Sequence, residues 1–226
     1  MGKEYEHVET IVDDLKTPKS TMARRPPHNF VAILKDADEL IDPFSKEVCE
    51  QLYNGVLLNN KKKKYWVDEE SNKNCFMVLA KDLTIVWGEN TEFWKWNTIQ
   101  ETSDLEIEVA VLQKVCWLEV RGKFRTISLA PMTKYEIAFV VKITDSHYNW
   151  DDPVKFTVTL PNGKKEECFK SLRRVPQEGW KHIPVCKFVM SPENVGEVTF
   201  ALDEHVLKWK SGLVIKGVSF QPVRDT

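Results

Sequence analysis

The sequence lacks the patterns that mark secreted, membrane-bound or lipid-anchored proteins. Its first residues, MGKEYEHVET, are polar, and no apolar run approaches the length of a signal-peptide core or a transmembrane helix. Glu6 stands where the myristoylation pattern requires Ser or Thr, and no Asn-x-Ser/Thr glycosylation signal occurs. We therefore expect a protein that does not enter the secretory route and does not bind a membrane.

The cysteines are few, and their spacing does not indicate pairs. The five cysteines are dispersed without a CxxC pair, at Cys49, Cys75, Cys116, Cys168 and Cys186. An odd, scattered set favours reduced thiols over a disulfide framework. Cys116 and Cys186 lie in apolar stretches, which predicts that they are core residues. Cys168 lies among lysines and is the better candidate for a reactive or intermolecular thiol.

Motifs of catalysis and metal binding are also missing. The chain has no phosphate-binding glycine loop, no GxSxG elbow and no HExxH helix, and its five histidines never stand at metal-ligand spacing. We expect a protein that is not an enzyme and holds no metal or other cofactor. A net charge of -2 argues against a global attraction to nucleic acid.

What the sequence does contain divides it into three parts. Residues 1–45 are charged, include Pro26-Pro27, and are predicted to be an N-terminal extension that is partly disordered or helical. Residues 46–74 form a lead-in segment, with one or two short helices expected between residues 30 and 58. From residue 75 to 226 apolar and polar residues alternate with period two, as in β-strands.

The alternation predicts about ten short strands and an all-β fold, an antiparallel sandwich or barrel. The predicted strands cover residues 76–80, 83–87, 106–112, 115–121, 124–129, 137–143, 156–160, 179–188, 198–202 and 213–220. In the last of them the apolar parity slips at Gly217, which predicts a β-bulge there.

The stretch WGENTEFWKW, residues 87–96, is unusually rich in aromatic residues. If residues 93–97 are extended, Trp94 and Trp96 point one way and Phe93 the other. Flat indole faces next to polar groups suit a ligand with one apolar face and a hydroxylated rim, such as a pyranose. The alternative is that these tryptophans close the end of the sandwich.

Two further features are candidates for binding. Glu197 and Glu204 are placed near turns, with Trp209 close by, although carboxylates at strand ends are commonly only solvated. The run Lys61–Lys64 suits nuclear import or an anionic contact, and its alternative is a solvated loop.

Several segments, taken in order, resemble a plant family. FMVLAKDLTIVWGENTEFWKW, VAVLQKVCWLEVRGKF, WKHIPVCKF, GEVTFALDE and LKWKSGLVIKGVSFQP are similar to the phloem protein 2 family, whose domain is also called the Nictaba domain. The resemblance covers about residues 75–223. No convincing F-box precedes it, so the chain resembles a phloem lectin of the cucurbit type.

The resemblance implies a jelly-roll β-sandwich that binds carbohydrate without a metal. Its implied ligands are N-acetylglucosamine oligomers such as chitin fragments or N-glycan cores. The implied sugar-binding positions are Trp87, Trp94, Glu197 and Glu204, with Asp203 as a substitute for Glu204. Local strand geometry adds Trp96 and Asn97 to these candidates.

The resemblance also implies a setting and partners. Phloem members form homodimers, are found in the cytoplasm of companion cells and in sieve-element sap, and act in wound sealing and defence. Nuclear entry is less secure, because PNGKKEE replaces a second lysine-rich loop. Two alternatives remain: an RNA-binding or trafficking protein using Lys61–Lys64, and a structural protein cross-linked through a cysteine to a phloem filament protein.

Overall fold

Two antiparallel β-sheets packed face to face make up most of the computed structural model, which describes residues 26–173, 175 and 179–224. This confirms the predicted β-sandwich. Residues 1–25 of the predicted N-terminal extension lie outside the described part. Within that part, no helix is both long and apolar enough to cross a bilayer.

Two short α-helices and thirteen strands follow one another along the described chain. The helices are α1 (Phe30–Ile33) and α2 (Val48–Asn54). The strands are β1 (Val56–Leu58), β2 (Lys63–Asp68), β3 (Lys73–Leu79), β4 (Thr84–Ile85), β5 (Trp94–Gln100), β6 (Glu106–Leu112), β7 (Leu118–Arg125), β8 (Lys134–Tyr148), β9 (Val154–Thr159), β10 (Lys165–Lys170), β11 (Lys181–Val189), β12 (Glu197–Glu204) and β13 (Ser211–Pro222).

The larger sheet has eight strands and is built around β13. Its order is β1-β2-β3-β13-β6-β5, and β8 pairs with both β13 and β11. Strand β2 pairs with β3 from Lys63 to Asp68, so the predicted lead-in segment contributes strands to this sheet. The sequence analysis missed β1 and β2, because their short apolar runs are interrupted by the lysine-rich turn.

The smaller sheet has five strands in the order β10-β9-β12-β7-β4. The separate strands predicted at 115–121 and 124–129 are wrong: one strand, β7, runs through both. The predicted bulge at Gly217 is confirmed, because the pairing of β13 with β8 shifts register between Ile215 and Gly217. The shift returns Val218 and Phe220 to the core side, where both are fully buried.

The core lies between the two sheets and is rich in aromatic rings. Phe124 stacks on Phe220 at 4.4 Å, and Phe139 meets Phe156 edge to face at 5.2 Å. Such contacts join β7 to β13 and β8 to β9 across the sandwich. They hold the two sheets in fixed relation, so the loops at the sandwich ends start from a rigid frame.

Candidate functional site

Trp87 lies in a tight loop directly after β4. Its φ of 60° is left-handed, and hydrogen bonds from Gly88 N to Ile85 O and from Asn90 N to Trp87 O, both 2.9 Å, close the turn. A left-handed backbone is uncommon for a bulky residue and is often found where a side chain is held for a function. The indole is 47% exposed and leans on Phe93, with ring centroids 5.5 Å apart.

Trp94 is a core residue. Its side chain is 1% exposed, and its Nε1 donates to Val86 O at 3.2 Å. This burial contradicts the prediction that Trp94 stacks on a sugar, because no face of the ring is open to a ligand. The strand parity itself is confirmed: Trp96 shares the face, is half-buried, and donates from Nε1 to Gly88 O at 3.0 Å. The two indoles anchor the loop that carries Trp87.

Asn97 lies on the opposite face of β5, where it is exposed and pairs in register with Val109. Successive residues of a strand point to opposite faces, so its side chain is directed away from Trp94 and Trp96. The structure therefore separates Asn97 from the tryptophans with which it was predicted to act.

Glu204 is buried at the end of β12 and forms an ion pair with the ammonium group of Lys210. Its Oε1 accepts from Val206 N at 2.8 Å, while Lys210 Nζ donates to the carbonyls of Cys116 (3.3 Å) and Val206 (3.2 Å). The pair ties the loop after β12 to the loop before β7. This geometry contradicts the prediction that Glu204 binds a sugar, because its carboxylate is already enclosed by protein.

Glu197 and Glu204 occupy opposite ends of the same strand. They are seven residues apart on β12, which is about 24 Å in an extended chain. Glu197 is exposed and pairs with Lys123 Nζ at 3.2 Å. Asp203, the predicted substitute, lies beside Glu119 in the register with β7. The predicted site therefore does not come together as one cluster: Glu197 lies far from Trp87, whereas Asp203 lies near it.

The sequence analysis missed Trp117 and His205, which form the closest aromatic pair of the described residues. Their rings stack with centroids 3.9 Å apart and planes 14° apart. Trp117 Nε1 donates to Glu119 Oε2 at 3.3 Å, and Arg121 Nε donates to Glu119 Oε1 at 2.6 Å. The hydrogen bond from Arg121 lowers the pKa of Glu119, so this carboxylate is an ionised acceptor at neutral pH.

Four backbone hydrogen bonds connect the surrounding loops. Val86 N donates to Glu119 O at 3.0 Å, and Gln113 N to Phe93 O at 2.8 Å. Val115 and Lys210 exchange a pair of backbone hydrogen bonds. Residues 86–93, 113–119 and 203–210 thus form one end of the sandwich, which we call the tryptophan end. It presents three exposed indoles, of Trp87, Trp117 and Trp209.

Ligand atoms of Glu119, Asp203 and His205 lie within 4.8 Å of one another, a grouping that suits a cation. The guanidinium of Arg121 already bonds Glu119 and lies 3.9 Å from Asp203 Oδ1. A positive side chain thus takes the place of a metal ion in this cluster.

Three lysines of the run, Lys62, Lys63 and Lys64, form intramolecular ion pairs. Lys62 and Lys63 lie 3.9 and 3.4 Å from Asp82, and Lys64 lies 3.0 Å from Glu101 in a half-buried contact. These pairs reduce the positive charge that the run offers to RNA or to an import receptor. No contact of the described residues favours the RNA alternative.

All five cysteines lie in the described part of the chain and are free. Cys186 is buried, as predicted, and burial raises its pKa to about 11. Cys116 is only partly buried. Burial also raises the pKa of Cys168, which makes it less nucleophilic than its neighbouring lysines suggested. Cys49 is the exposed thiol and the better candidate for a cross-link.

Comparison with known proteins matches residues 73–222 to the family model described as phloem protein 2. The chain is 43% identical to phloem protein 2-like A1 of Arabidopsis thaliana, over 97% of this chain and 88% of that protein. It is 38% identical to a protein named lectin from Luffa acutangula, over 86% of this chain and 94% of that protein. A xylan-binding CBM22-1 domain from Paenibacillus barcinonensis aligns at a TM-score of 0.34 and 14% identity, covering 66% of this chain and 90% of that domain.

Proposed function

The chain belongs to the phloem protein 2 family, and we propose that it is a lectin that binds N-acetylglucosamine oligomers at the tryptophan end. The observation that carries this proposal is the group of three exposed indoles, of Trp87, Trp117 and Trp209, on loops joined by hydrogen bonds. The name lectin of the Luffa acutangula relative supports a role in binding rather than catalysis.

The chemistry of the tryptophan end suits an acetylated sugar. Indole faces stack on the C–H groups of a pyranose, and the ionised carboxylate of Glu119 accepts from an amide N–H or a hydroxyl. His205 backs Trp117 at 3.9 Å and limits the motion of that ring, which reduces the entropy lost on binding. In this assignment Trp94, Trp96 and Glu204 shape the loops and do not touch the sugar.

The experiment is a calorimetric and fluorescence titration of the full chain with chitotriose. Binding should quench tryptophan emission, and Trp87→Ala should weaken binding about tenfold, equivalent to about 1.4 kcal/mol. The control is Met132→Ala, because Met132 is 78% exposed at the opposite end of the sandwich. No binding by the native chain at millimolar chitotriose would overturn the proposal.

We also propose the biological setting that membership of the family suggests. We assign the protein to phloem sap, where glycan binding would serve wound sealing or defence, and expect a homodimer. The name of the Arabidopsis relative supports the phloem assignment. Immunolocalisation in stem sections tests it, and sedimentation of the purified chain tests the dimer. A signal confined to nuclei or to non-vascular cells would contradict the phloem assignment.

A further inference from the structure

The five-stranded sheet carries a large groove on its outer face, which begins beside the tryptophan end at Arg121 and Asp203. Its volume is about 1020 Å³, and it extends from the sheet to the edge covered by α1. The sheet register places the floor residues side by side: Thr157 pairs with Ala201, and Thr159 pairs with Thr199. These side chains are small, so the centre of the face is hollow.

Long basic side chains form the two walls of this hollow. Arg121 and Lys123 extend from β7 on one side, and Lys155 and Lys165 extend from β9 and β10 on the other. Lys155 and Lys165 share the single carboxylate of Glu167, at 3.4 and 2.6 Å. That wall therefore carries one more positive charge than the carboxylate of Glu167 neutralises. Ion pairs at such exposed sites are weak and rearrange readily for a ligand.

Two polar atoms in the groove lack the partners that buried groups normally have. Thr157 is 9% exposed, and its Oγ1 has no hydrogen-bond partner among the described residues. Asp203 Oδ1 is likewise buried without a hydrogen bond, because Arg121 Nη2 is 3.9 Å away. Unpartnered buried polar atoms are rare, and a water molecule or a ligand group can supply the missing hydrogen bond.

The charges are ordered along the groove. Acceptors stand at its two ends, Asp203 at one and Glu197 at the other, six residues apart on β12 or about 20 Å. Cations and hydroxyl groups lie between them. A matching ligand carries an anionic group in its middle and hydroxyl donors along its length.

We propose that this groove is a second glycan site, which binds oligosaccharides containing uronic acid. Arg121 and Lys123 then bind the ligand carboxylate, Thr157 bonds to the chain, and Asp203 and Glu197 accept from its hydroxyls. Nucleic acid fits less well, because the described residues of the lining offer no exposed aromatic ring for base stacking and both ends are acidic. The groove meets the tryptophan end at Arg121 and Asp203. Its independence from chitotriose binding is therefore tested at Lys123, Lys165 and Thr157, which lie outside the tryptophan end.

The test is calorimetric titration of the full chain with trigalacturonate and with its neutral methyl ester. The acid should bind more tightly than the ester, and the difference should shrink at high salt. The double variant Lys123→Gln/Lys165→Gln should weaken binding of the acid about tenfold. Lys187→Gln is the matched control, because Lys187 makes a comparable exposed pair with Glu136 on the other sheet.

A variant at the floor of the groove distinguishes an effect on binding from an effect on folding. Thr157→Val keeps the shape and removes a hydroxyl without a protein partner, so it should leave thermal stability unchanged and weaken trigalacturonate binding about threefold. Chitotriose binding should be the same in every groove variant. Equal binding of acid and ester, no binding of either, or wall-dependent binding of oligouridylate without binding of trigalacturonate would each overturn the proposal.

Discussion

Trp117 and His205 stack face to face at 3.9 Å, although they belong to different loops of the tryptophan end. Trp117 precedes β7 and His205 follows β12, and these strands are direct neighbours. The stack therefore joins two loops at the point where a ligand would meet the indole. His205 acts here as a positioning residue, because Trp117 is the more suitable ring for contact with a sugar.

Replacing His205 should change sugar affinity through Trp117. His205→Ala removes the ring that holds the indole and should weaken chitotriose binding about three- to tenfold, matching the 0.5–1.5 kcal/mol typical of an aromatic pair. His205→Phe restores a stacking ring and should restore affinity. Titration calorimetry of both variants checks this. Equal weakening by Ala and Phe would show that the imidazole itself touches the sugar.

Trp94 and Trp87 should respond to substitution in opposite ways. Trp94→Phe removes buried volume and the bond to Val86, so it should lower the free energy of unfolding by about 1–3 kcal/mol while chitotriose affinity stays within twofold. Trp87→Ala should change stability by less than about 0.5 kcal/mol and lose affinity. Urea unfolding and titration on the same samples provide both quantities. Loss of affinity in a stable Trp94→Phe protein would contradict the assignment.

The sequence predicted the sandwich well because alternation is a local property. Two-residue periodicity locates strands, and the parity slip at Gly217 located the bulge to the residue. Periodicity also showed that Trp94 and Trp96 share a face. It does not tell which face is covered, because period two divides the residues between two faces without showing which face meets the second sheet.

The site was harder to predict because it depends on contacts between distant segments. Glu197 and Glu204 are close in sequence but stand at opposite ends of an extended strand. Trp117 was read as the interior of a strand from 115 to 121, whereas β7 begins at Leu118 and leaves Trp117 in a loop. The buried partner of Glu204 is Lys210, which no local pattern singles out.

The Glu204–Lys210 pair should matter for stability and only indirectly for binding. Lys210→Met leaves a buried carboxylate without its cation and should cost about 3–5 kcal/mol. The double variant Glu204→Gln/Lys210→Met removes both charges and should recover part of that loss. Urea denaturation of the wild type, both single variants and the double variant yields the coupling energy. Additive effects would rule out a direct pair.

Glu101 should make stability depend on pH in the acidic range. Burial tends to raise its pKa, but hydrogen bonds from Lys216 (2.5 Å) and Lys64 (3.0 Å) outweigh this and lower it below 4.5. A carboxyl group whose pKa is lower in the folded than in the unfolded protein stabilises the fold at pH values above its unfolded pKa. That stabilisation is lost as the pH falls through the folded pKa. Glu101→Gln should therefore be less stable than wild type at pH 7, with the difference shrinking below about pH 4.5. A constant difference from pH 7 to pH 3 in urea melts would contradict this linkage.

Gly217 should tolerate no side chain, because a Cβ there would lie 2.1 Å from the carbonyl oxygen of Val78. Gly217→Ala must push β3 away from β13 and should lower the free energy of unfolding by more than about 3 kcal/mol. The matched control is Gly163→Ala. Gly163 also has a positive φ, of 85°, but no atom of the described residues lies within 4 Å of its Cβ position. Gly163→Ala should therefore lower the free energy of unfolding only by the cost of a left-handed backbone at a residue other than glycine, about 1–2 kcal/mol. Similar losses in the two variants, measured by urea unfolding, would show that backbone strain rather than the contact with Val78 requires glycine at the bulge.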